Sequence, residues 1–185
     1  ELSAAMVPVA ANGAMTALAP FNTRDGFSPG IAMMAFLPGA VVDGLPRPNS
    51  IELSLTEGSP TVLLDAETGE RVAHWAELDM STDDAARRTF MIRPAVRLED
   101  GRRYIVAIRG VVDDAGQPLA ASPAFAALRD RTASDDPSVE ARRGLYGDIF
   151  AELDAAGVAR DDLQLAWDFT TASRDDNTGW LVGMR

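Results

Sequence analysis

The part of the sequence that most constrains the fold is residues 92–119, where one strong strand pattern lies between two turn patterns. Residues 102–109 suit a β-strand, in which successive side chains lie on opposite faces of the sheet. An Asp-Gly pair precedes this segment and Asp-Ala-Gly follows it, and these residue types favour tight turns. The face predicted to point inward carries Tyr104, Val106 and Ile108. We expect the other face, which includes Arg103 and Arg109, to be exposed.

Strand patterns recur along much of the chain and are separated by turns rich in Gly, Pro and Asp. Apolar runs or alternating residues predict further strands over residues 31–37, 50–56, 61–65, 71–79, 89–93 and 163–171. Short strands at this spacing are typical of an antiparallel β-sandwich. The strand pattern therefore predicts a mainly β fold.

A helical pattern interrupts the strands before the last one. Asp135-Asp136-Pro137 combines an acidic cap with a proline in the first turn, which is a common helix start. Gly157 suits the position just past a helix end. Between them, apolar residues recur at helical spacing at Val139, Tyr146, Ile149, Phe150 and Leu153. We therefore predict an α-helical insert before the last strand.

At 185 residues the chain is long enough for a single domain with its own core. We predict an extended N-terminal segment over residues 1–30, sandwich strands over 31–123 and the helical insert over 124–160. Residues 161–185 are then the final strand and the start of a C-terminal helix or linker. Because the sequence opens with Glu and stops just after an apolar run, we expect it to be part of a longer protein.

Charge and cysteine content exclude several classes of function. The net charge is −11 and all 17 basic residues are arginine. An acidic surface repels phosphate backbones and anionic head groups, so we expect neither nucleic acid nor a membrane surface as a partner. No run approaches the ~20 apolar residues of a transmembrane helix. The absence of cysteine excludes disulfides, zinc–thiolate sites and cysteine nucleophiles.

Few residues are candidates for catalysis or metal binding. His74 is the only histidine, and it lies within a predicted strand with no Gly-x-Ser-x-Gly motif in the chain, so we expect a structural role. Asp175, Asp176 and Asn177 are the best calcium candidates, because hard cations prefer several converging oxygens. The sequence predicts no catalytic residue and no cofactor, and it does not predict an enzyme for this chain alone.

Large aromatic residues mark the candidate interaction sites. Tryptophan side chains often anchor protein interfaces. We predict that Trp75 and Trp180 lie on contact surfaces, whereas Trp167 packs in the core. The predicted partners are an adjacent domain of the parent protein or further copies of this chain.

Several short motifs resemble a bacterial Ig-like module found in surface-layer and other secreted proteins. They are Ile92-x-Pro94, Leu98-x-x-Gly101-x-x-Tyr104-x-Val106, Asp113-x-x-Gly116-x-Pro118-Leu119 and Trp167-Asp168-Phe169-Thr170-Thr171. The helical insert before the last motif is similar to the N-terminal domain of bacterial secreted lipases and esterase-like proteins. The resemblance implies an Ig-like sandwich that is exported to the periplasm, cell surface or medium. In that family the catalytic α/β-hydrolase domain follows this domain.

Three hypotheses about function follow. The first is a non-catalytic Ig-like accessory or structural module of an exported bacterial protein, which acts by domain or subunit contacts. The second is the N-terminal part of a secreted α/β-hydrolase whose catalytic domain lies outside this chain. The third is a self-assembling cell-surface or fibre subunit, in which residues 1–30 complete the sheet of a neighbour.

Overall fold

The central element of the fold is strand β5, Arg103–Arg109, in a computed structural model that describes residue 7 and residues 9–185. β5 pairs in antiparallel fashion with β2, Thr61–Asp65, on one side. It pairs with β6, Leu163–Thr170, on the other side, again antiparallel. These three strands form the first sheet, in the order β2-β5-β6.

A second antiparallel sheet has the order β1-β4-β3. Its strands are β1, Met33–Phe36, β4, Thr89–Pro94, and β3, His74–Leu78. The sequence predicted every strand of both sheets to within a few residues. β1 and β3 are the edge strands here, while β2 and β6 are the edges of the first sheet.

Three α-helices complete the described secondary structure: α1, Pro123–Asp130, α2, Pro137–Ala155, and α3, Arg174–Gly183. α1 and α2 lie between β5 and β6 in the chain. The predicted start of α2 is confirmed, because the Asp136 carboxylate accepts a hydrogen bond from the Ser138 N–H and Pro137 opens the first turn. Gly157 follows this helix with a φ of 75°, a conformation that favours glycine.

Two apolar cores divide the molecule into three layers. The first core lies between the two sheets and includes Met33, Leu63, Phe90, Ile92, Tyr104, Val106 and Ile108. The second lies between the first sheet and helices α1 and α2, and it includes Val62, Leu64, Ile105, Ala107, Phe125, Ile149, Phe150 and Leu153. The sheet β2-β5-β6 is therefore the middle layer, with apolar side chains buried on both faces.

This layering corrects the prediction that the second face of β5 is exposed. Ile105 and Ala107 are fully buried beneath the helices. Arg103 lies on the same face, where its guanidinium donates to Asp168 of β6 and Asp148 of α2. The sequence pattern of β5 is apolar on both faces, and the helical insert supplies the cover that a two-layer sandwich lacks.

The fold class is mixed rather than mainly β. The described residues contain two three-stranded antiparallel sheets and three α-helices, and helix (27%) exceeds strand (22%). The prediction of a mainly β fold is not confirmed, because the insert forms a complete layer of the structure. The antiparallel sheets and the helices before the last strand are present.

The predicted strand over residues 50–56 is wrong, since this segment forms a 3₁₀-helix, Ile51–Leu55. The Ser54 hydroxyl donates to Ile51 O, and its oxygen accepts from the His74 N–H. Ser54 is fully buried, while Leu53 and Leu55 are about half exposed. The alternation of apolar residues was misleading because the buried residue is Ser54. Its hydroxyl provides partners for two backbone groups, Ile51 O and the His74 N–H.

Candidate functional site

His74 lies at the start of β3 and is fully buried between the two sheets. Its Nδ1 lies 2.8 Å from the Val72 carbonyl oxygen, which can only accept, so Nδ1 carries the proton. Its Nε2 then accepts from the Thr61 hydroxyl at 2.9 Å. Burial lowers the pKa of His74 below its usual value. The ring is a neutral link between the two sheets, whereas the sequence predicted only a structural role.

The calcium candidates Asp175, Asp176 and Asn177 lie in the first turn of α3. Asp176 forms an ion pair with Arg24 at 2.9 Å, and Asn177 Nδ2 donates to Asp100 Oδ1 at 2.7 Å. These contacts tie α3 to the N-terminal segment and to the β4–β5 turn. Within the described residues, no group of three or more His, Asp or Glu side chains is placed to hold a metal ion. The calcium site stays a prediction.

The two candidate interaction tryptophans lie on different elements. Trp75 is half-buried on β3, where its Nε1 donates to Glu77 Oε2 at 3.4 Å and its register partner is Arg93 of β4. Trp180 on α3 is 77% exposed. Next to it, the large apolar side chains that are also exposed are Leu181, Val182 and Met184. Trp180 is therefore part of an apolar surface, whereas Trp75 belongs to a polar neighbourhood.

A second apolar surface lies where the edge strands β1 and β6 run side by side. We call this surface the β1/β6 rim and define it by Phe27, Met34, Phe36, Leu165 and Trp167. Phe27, Met34 and Phe36 are 54%, 63% and 66% exposed, and the other two are half-buried. A cavity of about 230 Å³ lies at one end of the rim and one of about 380 Å³ at the other.

The rim exists because β6 is an edge strand. Leu165 and Trp167 pair in register with Ile108 and Val106, so they face the core between the sheets. No further described strand extends past them, and their outer sides are left accessible. Sequence analysis placed Trp167 in the core and missed this surface, because alternation identifies the inward face but not the edge position.

The largest cavity, about 770 Å³, opens at the ends of β2, β5 and β6 beside two arginines. The Arg109 guanidinium donates to the carbonyl oxygens of Ser59 and Glu57. The Arg129 guanidinium donates to Leu163 O and pairs with Asp130. Because backbone and carboxylate oxygens already satisfy these cations, the cavity offers little free charge to a ligand.

A fourth cavity, about 650 Å³, lies beside the end of α1 and is lined by several arginines. Arg143 donates to Ala127 O, and Arg160 donates to Leu128 O and Arg129 O. Helix ends leave carbonyl groups without partners, and these two side chains supply the missing donors. The basic cluster is a helix cap that joins α1 to the rest of the helical layer.

Comparison of the chain with protein-family models and with curated proteins found no match. Among the described helices, none is both long enough and apolar enough to cross a membrane. The geometry of this chain singles out one candidate site. It is the β1/β6 rim, with the apolar end of α3 as a second surface.

Proposed function

We propose that this chain is a non-catalytic Ig-like accessory module of an exported bacterial protein and acts by contact with a neighbouring domain or subunit. The observation that carries the proposal is the exposure of large apolar side chains outside two complete cores. Met34 and Phe36 on the β1/β6 rim and Trp180 on α3 each expose more than half of their surface. Contiguous exposed apolar residues of this kind mark interaction surfaces.

The fold supports an accessory role rather than a catalytic one. The only histidine is a buried link between sheets, and Ser59, which is 2% exposed, donates its hydroxyl to Thr61 O. These groups are engaged in the packing of the first core. The three packed layers hold the apolar surfaces in place for contact with a neighbouring domain or subunit.

A second candidate function is the N-terminal part of a secreted α/β-hydrolase. The observation that favours it is the position of α1 and α2 between β5 and β6, which is the arrangement that the resemblance implies. In this case the contact partner is the catalytic domain of the same polypeptide. A Gly-x-Ser-x-Gly motif encoded after Arg185 in the parent gene would favour this candidate over the first.

The contact function is tested with lysine substitutions in the complete natural protein. We expect Phe36→Lys and Trp180→Lys to weaken association or domain docking, measured by sedimentation and by protection from limited proteolysis. Met80→Lys is the matched control, because Met80 is 67% exposed and lies outside both surfaces. If neither variant differs from the control, the proposal is wrong.

A separate assay tests the absence of catalysis. We expect the purified 185-residue chain to hydrolyse p-nitrophenyl acetate and butyrate no faster than buffer with heat-denatured chain. Hydrolysis that scales with the concentration of folded chain would contradict a non-catalytic role.

A further inference from the structure

At the C-terminal end of β6, the outer edge of the strand pairs with Phe27 of the N-terminal segment. The described pairing does not continue along β6. The Phe27 N–H donates to Thr170 O at 2.9 Å, and the Ala172 N–H donates to Phe27 O at 2.7 Å. This is a parallel bridge between Phe27 and Thr171. The chain on the N-terminal side of Phe27 then turns away from β6, since Arg24 and Asp25 bond to Asp176 and to the Ser173 N–H.

The pairing pattern shows which backbone groups of β6 remain open. In an antiparallel pair, alternate residues direct both backbone groups away from their partner strand. Because Thr170 O points outward to Phe27, the outward set also contains Asp168 and Ala166. The Ala166 carbonyl accepts from the Tyr146 hydroxyl at 3.0 Å. In the described part of the chain, the outward N–H and C=O of Asp168 have no hydrogen-bond partner, and Asp168 is only half-buried. Ala166 is fully buried, so its N–H is not accessible to an added strand.

The side chains beside this edge are apolar and uncharged on the side that faces β1. Leu165 and Trp167 are half-buried there, and Met34 and Phe36 extend the same surface on β1. Asp168, the charged residue that follows Trp167, points to the helical side of the sheet, where it pairs with Arg103 at 2.7 Å. An added strand would thus meet open backbone groups next to an apolar groove.

The chain itself contains a segment with matching properties. Residues 9–23 contain no charged side chain, in a protein whose net charge is −11. Residues 14–18 (Ala-Met-Thr-Ala-Leu) have no regular secondary structure, lie between two turns and are largely exposed. The described hydrogen bonds of residues 9–20 all stay within residues 9–23. This segment is therefore an uncharged strand-like sequence whose described hydrogen bonds reach no other part of the chain.

Length and charge both favour a second copy as the source of that strand. Five extended residues span ~17 Å, which is long enough to run past Asp168 and along the groove beside Leu165 and Trp167. Two copies with a charge of −11 repel each other, and an uncharged segment that binds an uncharged groove is the contact least opposed by that repulsion. Strand addition to an exposed edge is a general mode of association.

We propose that the N-terminal segment of one copy, centred on residues 14–18, adds as a strand to the β1/β6 rim of a second copy. This inference rests on the proposed contact function and names its partner. Backbone hydrogen bonds to the N–H and C=O of Asp168 hold the added strand next to the Phe27 bridge. Alternate side chains, with Met15 and Ala17 on one face, fill the groove beside Leu165 and Trp167.

Cysteine crosslinking tests this contact directly, because the natural chain contains no cysteine. One full-length chain carries Met15→Cys, and a second chain of different mass carries Met34→Cys. We expect the mixture to give a mixed disulfide dimer at least about tenfold more abundant than in the control. The control replaces Met34→Cys with Met80→Cys, which has nearly the same exposure, 67% against 63%.

The alternatives give different results. Equal yields with the two partners would overturn the proposal. If the double variant Met15→Cys/Met34→Cys instead forms only a monomeric disulfide, the segment binds its own chain and the second copy is excluded. Should crosslinking fail while Phe36→Lys still weakens docking in the complete protein, the contact function stands and only this partner is wrong.

Discussion

Thr61 on β2 and His74 on β3 join the two sheets through a hydrogen bond of 2.9 Å between the Thr61 hydroxyl and His74 Nε2. The Val72 carbonyl oxygen accepts from Nδ1, so the ring is held in one neutral tautomer. Both residues are fully buried. A second proton on this ring would place a charge inside the core. It would also make Nε2 a donor, so that Nε2 could no longer accept the hydrogen bond from the Thr61 hydroxyl.

Stability is therefore expected to fall as the pH drops below about 6.5. Burial lowers the pKa of His74 from its usual value of 6.5, so the unfolded chain binds a proton that the folded chain excludes. The free energy of unfolding should decrease by up to ~1.4 kcal/mol per pH unit until the lowered pKa is reached. Urea denaturation between pH 7.5 and 5 measures this slope. His74→Gln should flatten it, and an unchanged slope in that variant would contradict the assignment.

Gln164 at the N-terminal part of β6 holds the segment after β5 in place. Its Oε1 accepts from the Val111 N–H, and its Nε2 donates to Val111 O and Leu119 O, all within 2.8 Å. Gln164→Met should destabilise the protein by about 2–4 kcal/mol, because it leaves buried backbone groups without partners. Gln117→Met is the control, since Gln117 is exposed, and thermal denaturation compares the two. Equal melting temperatures would contradict this role.

Gly26 allows the N-terminal segment to approach the end of β6. A Cβ atom at this position would lie 2.5 Å from backbone atoms of Thr171 and Ala172. We expect Gly26→Ala to break the bridge between Phe27 and Thr171, which frees the backbone of residues 24–28 for cleavage after Arg24 by trypsin at concentrations that spare the natural chain. Gly30→Ala should have no such effect, because nothing lies within 4 Å of its Cβ position. Cleavage sites mapped by mass spectrometry decide between these outcomes.

Arg103 ties the helical layer to the middle sheet. Its guanidinium lies 2.7 Å from the Asp168 carboxylate of β6 and 2.6 Å from the Asp148 carboxylate of α2. Asp148→Ala should cost under ~1 kcal/mol, since Asp148 is half exposed and solvent screens the pair. Arg103→Ala should cost about 1.5–3 kcal/mol, because it leaves the more buried Asp168 unpaired. Chemical denaturation of the two variants tests this order, and the reverse order would refute it.

Sequence patterns located most of the secondary structure because those patterns are local. The strand β2 and the start of α2 depend on side chains and caps within a few residues of each other. Residues 50–56 were predicted incorrectly because Ser54 is buried to satisfy the His74 N–H, twenty residues away. The candidate site was largely missed because it also depends on contacts between distant residues. The local pattern predicts that Trp167 is a core residue, and only the strand order shows that β6 is an edge strand.

What the sequence by itself determined is the six strands, the helical insert before the last of them, and the inward face of β5 with Tyr104, Val106 and Ile108. Only the tertiary structure shows that α1 and α2 cover the opposite face of β5. The protein therefore has three layers where the sequence predicted two. The tertiary structure also decided that the edge of β6 stays open at Asp168, and that Leu165 and Trp167 are only half-buried. The physical reason is that alternation records burial along one chain segment, whereas strand order and layer contacts depend on packing between residues far apart in the chain.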